Sequence, residues 1–140
     1  MTMSLFRENS LAKITPRDYQ VVDVAESFRL WDSGTVGTLT RAFTGSGKTL
    51  MSCLKFRRWL DRGDDYRCMV LSYEQQLVWQ FAQEVEDYLG ITPGIEMGSS
   101  EIEPNNIPQV VVACRQSLLP HRLATPEQRE TIARYGFADI

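Results

Sequence analysis

An α/β domain built around a mainly parallel sheet is what this sequence predicts, and three observations predict it. Apolar runs of strand length alternate with segments of helical periodicity along the 140 residues. A glycine-rich turn, Thr44-Gly45-Ser46-Gly47-Lys48-Thr49, falls where a strand passes into a helix. The run from Tyr66 to Ser72 is nearly continuous in apolar residues, the pattern of a strand covered on both faces of a parallel sheet.

Taken in chain order, Thr15 as N-cap and Pro16 at the first helical position open a helix. Proline there lacks only an N–H that the first turn leaves unbonded, and Asp18 sets a negative charge against the positive helix end. Tyr19, Val22, Ala25, Phe28 and Leu30 then recur at helical spacing until Ser33-Gly34. Thr35 to Thr40 is rich in β-branched residues and reads as a strand leading into the glycine turn. A second helix runs from Lys48 to about Leu60, with Leu50, Met51, Leu54 and the stem of Arg57 toward the sheet, and Asp61 to Asp65 is a turn. After the strand ending at Ser72, Tyr73 to Leu89 is a helix. Its apolar stripe is Leu77, Val78, Phe81, Val85, Tyr88 and Leu89, and Gly90 closes it. Ile95 to Met97 is a short strand, Glu101 to Pro108 a polar loop with two prolines, and Gln109 to Cys114 a further strand. Pro126 to Tyr135 is a last helical stretch. No internal repeat is visible, so one domain is expected.

Composition narrows the class. An apolar share of 43% and a charged share of 24% are those of a globular protein. The longest apolar runs, such as Met69 to Leu71 and Val110 to Ala113, are far too short to cross a bilayer. The first ten residues lack the basic start and apolar stretch of a secretory leader, so a cytoplasmic protein without membrane contact is expected. Cys53, Cys68 and Cys114 form no C-x-x-C pair and read as small buried hydrophobes. The only histidine, His121, stands beside none of them. The net charge of −3 shows no basic excess, so any nucleic acid would be held by a local surface.

The glycine turn carries the chemistry. Gly45 and Gly47 allow backbone angles and a close approach that side chains would block. Successive backbone N–H groups from Gly45 to Thr49 can cradle phosphate oxygens, and the following helix adds its positive end. Lys48 brings a point charge to the β and γ phosphates, and the Thr49 hydroxyl is a ligand for Mg²⁺. The residues therefore point to a P-loop that takes the triphosphate of ATP. One position departs from G-x-x-x-x-G-K-[ST]: Ala42 stands where glycine is usual. Two further groups lie at strand ends, where open α/β sheets place ligands. Ser72, Tyr73 and Gln76 follow one strand, Arg115 and Gln116 the next.

Four segments, in order, carry a family resemblance. Ala42-x-Thr44-Gly45-Ser46-Gly47-Lys48-Thr49 resembles motif I of superfamily 2 helicases and translocases. Pro16-Arg17-Asp18-Tyr19-Gln20 is similar to the Q-motif segment upstream of it. Val70 to Leu77 resembles motif Ia, and Val111 to Leu118 the strand-and-loop motif called Ib or Ic. The likeness spans about residues 14 to 119 and is nearest to the helicase domain of type III restriction enzymes and their UvrB-like relatives.

The resemblance implies a RecA-like domain, with residues 1–140 as a partial helicase ATP-binding domain using ATP and Mg²⁺. It implies that Gln20 reads adenine, that Arg17 lies near the base, and that Lys48 and Thr49 serve hydrolysis. It implies too that Ser72, Tyr73, Gln76, Arg115 and Gln116 hold the phosphates of a nucleic-acid strand without reading sequence, DNA in preference to RNA. The motif II strand ending in Asp-Glu, expected after motif Ib, does not occur between Leu119 and Ile140. The sheet is accordingly expected to be incomplete, needing the remainder of a helicase or a partner chain. Little turnover is expected from these residues alone. A non-catalytic module holding ATP or nucleic acid is the alternative. A nucleotide or small-molecule kinase fits less well, because Ala42 replaces glycine and no arginine-rich lid is present.

Overall fold

A computed structural model of the chain describes residues 14–98, 100, 102 and 106–118. Three short segments rich in β-branched and other apolar residues pair as strands: β1 (Cys68–Ser72), β2 (Gly94–Glu96) and β3 (Val110–Cys114). All pairings are parallel and the order is β1-β3-β2. The central strand, β3, is buried along its whole length because it has a neighbour on each edge and cover on each face.

Among the described residues three α-helices accompany the sheet: α1 (Asp18–Asp32), α2 (Lys48–Leu60) and α3 (Gln75–Leu89). Alternate residues of β3 divide the core, as the two-residue period of a strand requires. Val110 packs with Cys53 and Leu60 of α2 and Val85 and Leu89 of α3; Val112 and Cys114 pack with Val78 and Ala82 of α3. Val111 and Ala113 meet Met69, Ile102 and Ile107 instead. Gly90 takes the left-handed conformation (φ 66°) and closes α3, as expected of a C-cap glycine. The short 3₁₀ helix Arg115–Leu118 follows β3 directly. Among the described residues no helix is long and apolar enough to cross a membrane.

Several expectations need correction. The segment from Thr35 to Thr40 forms no strand. Both edges of β3 are taken, and a hollow of about 690 Å³ lined by Val36 on one side and Met69 on the other separates the segment from β1. Side chains hold it instead: Thr40 Oγ1 donates to Asp23 Oδ1 (2.7 Å), and Lys55 Nζ reaches both Thr40 Oγ1 (3.1 Å) and Asp23 Oδ2 (2.8 Å). Val36 and Leu39 are left fully in solvent.

The first helix begins at Asp18, with Arg17 rather than Thr15 as N-cap, because the Gln20 side chain reaches back to the Arg17 N–H (2.9 Å) and holds that residue extended. Its buried face is Gln20, Val24, Ser27 and Phe28; Tyr19, Val22 and Ala25 lie outside it, since α1 packs on α2 and on the glycine turn, not on the sheet. Finally, β1 is only partly covered and Leu71 is 54% exposed, because its outer edge has no neighbour among the described residues. The third helix starts at Gln75, two residues later than the pattern suggests, and the stretch Pro126 to Tyr135 lies outside the described residues.

Packing also sets cysteine chemistry. Burial pushes the Cys53 and Cys68 thiols from an ordinary 9.0 up to about 12, and Glu84 adds to the effect at Cys53. Above pH 9 the unfolded chain releases these protons while the folded chain retains them, so stability falls as pH rises from 9 toward about 12. Urea midpoints taken on either side of pH 9 should show the decline; a flat profile would contradict the burial of these thiols.

Candidate phosphate-binding site

The glycine turn folds as its residue types require. Gly45 and Gly47 have φ of 82° and 80°, conformations that cost a side-chain-bearing residue about 1–2 kcal/mol. The turn is closed by Ser46 N–H donating to Phe43 O (3.2 Å), and Met51 N–H then bonds to Gly47 O (3.0 Å), so α2 starts immediately. Gly47 is the N-cap. The N–H groups of Lys48, Thr49 and Leu50 therefore sit in the first turn, where a helix offers them no acceptor. They form a cluster of donors beside the positive helix end.

Gly47 must be glycine for a second reason. A Cβ there would lie 2.5 Å from Gln20 Nε2, so the Gln20 amide would have to move off its bond to Ser46 O. The Gln20 amide is pressed against the turn and is only 3% exposed. Its Nε2 donates to Ser46 O (2.9 Å) while its Oε1 accepts from Arg17 N–H (2.9 Å). The Tyr19 hydroxyl donates to the same Ser46 carbonyl at 2.7 Å and receives a longer bond from Arg17 Nη1 at 3.4 Å. The Tyr19 ring also leans on Phe43, with centroids 6.0 Å apart. Ser46 itself is buried, and its hydroxyl has no hydrogen-bond partner among the described residues. A buried hydroxyl without a partner, beside unbonded N–H groups, suits an anionic ligand rather than an apolar one.

Of the residues singled out by sequence, the structure brings Arg17, Gln20 and the stretch Thr44 to Thr49 into one cluster. Lys48 is exposed at its rim. The strand-end residues form a second group at the same end of the sheet, for Ser72 and Cys114 are register partners and Tyr73 and Arg115 directly follow them. The groups adjoin: Thr49, Ser72 and Tyr73 line one hollow of about 300 Å³. Ser72 Oγ accepts the Glu74 N–H (3.3 Å), shaping the turn into α3, and Gln116 Oε1 accepts from Cys114 Sγ (3.5 Å). Gln76, Arg115 and Gln116 are exposed. Sequence reasoning passed over Tyr19 as a contact of the turn; its partner lies 27 residues away, and no spacing rule signals that.

A family model described as type III restriction enzyme, res subunit, matches residues 13–135, a span that takes in every described residue. No curated protein matches the chain.

Proposed function

From the premise that the chain belongs to the family of the type III restriction enzyme res subunit, we propose that it is the ATP-binding part of a superfamily 2 helicase or translocase that couples ATP hydrolysis to movement on nucleic acid. One observation carries the reading: two left-handed glycines, a buried unpartnered Ser46 hydroxyl and the open first turn of α2 meet at a single point, with Lys48 at its rim.

The residues present fit a Mg²⁺–triphosphate. Backbone N–H groups from Gly45 to Thr49 would accept the phosphate chain, Lys48 would neutralise the β and γ groups, and the Thr49 hydroxyl would hold Mg²⁺. Bound Mg²⁺ would draw charge from the phosphoryl oxygens. Ser72, Tyr73, Gln76, Arg115 and Gln116 would bind the phosphates of a nucleic-acid strand, DNA in preference to RNA, at the edge next to Thr49. That adjacency supports coupling, since a shift of the phosphate loop is felt in the hollow that Ser72 and Tyr73 share with it.

A second reading is favoured by a specific feature: these 140 residues contain no Asp-Glu pair to hold the metal and orient a water. The chain by itself would then be a binding module. The enzyme and an ATP-holding module both expect saturable, Mg²⁺-dependent binding of a fluorescent ATP analogue, and they divide on phosphate release: turnover above background supports the enzyme, none supports the module. Absence of nucleotide binding removes both and leaves only a module that holds nucleic acid. In the same series, single-stranded DNA should bind at low salt and be released as salt rises; no binding at low salt removes the nucleic-acid surface from this chain.

A further inference from the structure

We infer that Tyr19 and Gln20 are positioning residues that set the direction of the Gly47 N–H in the phosphate loop, and so act on every triphosphate alike rather than on its base. The inference rests on the loop being a triphosphate site, as proposed above.

Two donors from consecutive residues of α1 converge on the Ser46 carbonyl, Tyr19 Oη at 2.7 Å and Gln20 Nε2 at 2.9 Å. A carbonyl oxygen has two lone pairs, and both are taken. The Ser46–Gly47 peptide is trans, so its C=O and N–H point in opposite directions within one plane. With the C=O held toward α1, the Gly47 N–H is held away from it. Left to itself this peptide could turn over, because Gly47 accepts positive and negative φ almost equally. The two hydrogen bonds choose between those states.

The donors are themselves fixed. Arg17 Nη1 can only donate, so its bond to Tyr19 Oη (3.4 Å) leaves the phenol proton for Ser46. The Gln20 amide is oriented by an N–H facing its oxygen and a carbonyl facing its nitrogen. One N–H and one lone pair of that amide are engaged inside the protein, and its 3% exposure shields the second N–H and lone pair from a base. This arrangement assigns Gln20 a different task from the one its motif implies.

The test compares dissociation constants of the wild-type chain and Tyr19→Phe for ATP, GTP and inorganic tripolyphosphate. Loss of one neutral hydrogen bond should weaken all three by a common factor of about threefold to tenfold, leaving the ATP-to-GTP ratio unchanged. Gln20→Ala should behave likewise, with a thermal melt to verify folding. In a ¹⁵N-labelled chain, the downfield displacement of the Gly47 amide proton on adding tripolyphosphate should shrink in Tyr19→Phe, a change that a purely structural role for the phenol would not cause. Equal affinity of Tyr19→Phe for tripolyphosphate, or a loss confined to ATP, overturns the inference while leaving the triphosphate site intact. If the wild-type chain binds none of the three, the proposed function falls with it.

Discussion

Lys48→Ala weakens binding of a fluorescent ATP analogue by about tenfold to 150-fold, the value of a hydrogen-bonded charge on the phosphate chain. The prediction is sharp because Lys48 contributes little else. It is the first residue of α2, exposed, and its ammonium makes no ion pair or hydrogen bond among the described residues. A cation at the positive end of a helix is unfavourable there by a few tenths of a kcal/mol, and alanine is the better helix former. The variant should therefore melt at the same temperature as the wild type or slightly above it. Affinity and stability move independently, which separates a binding role from a folding one. Fluorescence titration and a thermal melt on the same samples decide the matter; unchanged affinity would remove the phosphate cradle from Gly45 to Thr49.

Phe28→Ala should have the largest effect on stability, a loss of about 3–5 kcal/mol measured by urea unfolding. Phe28 is fully buried between α1 and α2. Its ring meets Trp31 edge-on at 5.0 Å and Trp59 at 6.3 Å, and the guanidinium groups of Arg58 and Arg62 lie 4.6 Å and 5.1 Å from its centre. Arg62 is in turn held by Asp32 at 2.8 Å. Removing the ring leaves a cavity and takes a cation–π contact from both Arg58 and Arg62. Because a domain is stable by only about 5–15 kcal/mol, this one substitution spends much of the margin. It should reach the site too. The first helix carries Tyr19 and Gln20, so a loosened α1 releases the Ser46 carbonyl and weakens triphosphate binding. A loss below about 1 kcal/mol, at the level of an exposed position, would mean that α1 is not docked through Phe28.

The glycine turn was legible because its requirements are local. Two glycines at positive φ, a lysine and a threonine at the start of a helix are dictated by the backbone of six neighbouring residues. The presence of the second and third helices and of β3 was legible for a similar reason, since apolar spacing and the Gly90 stop act within one or two turns. The face of α2 was not, for it buries Cys53 and Leu60 beside Met51 in place of Leu50 and Leu54. Nor was the face of α1. Periodicity selected Val22 and Ala25, yet the helix buries Gln20 and Ser27, because its neighbours are a glycine turn with a carbonyl to satisfy and a second helix, not an apolar sheet.

Residue order alone determined the α/β class and the conformation of the glycine turn, since each follows from conformational and hydrogen-bonding limits of single residues and their near neighbours. Tertiary structure alone decided that Thr35 to Thr40 stays unpaired, that Leu71 faces solvent, and that Tyr19 and Gln20 converge on Ser46. The physical reason is common to all three. A strand exists only with a partner in register, burial only with a covering face, and an acceptor's two lone pairs are claimed by whichever donors the packing of α1 brings within reach.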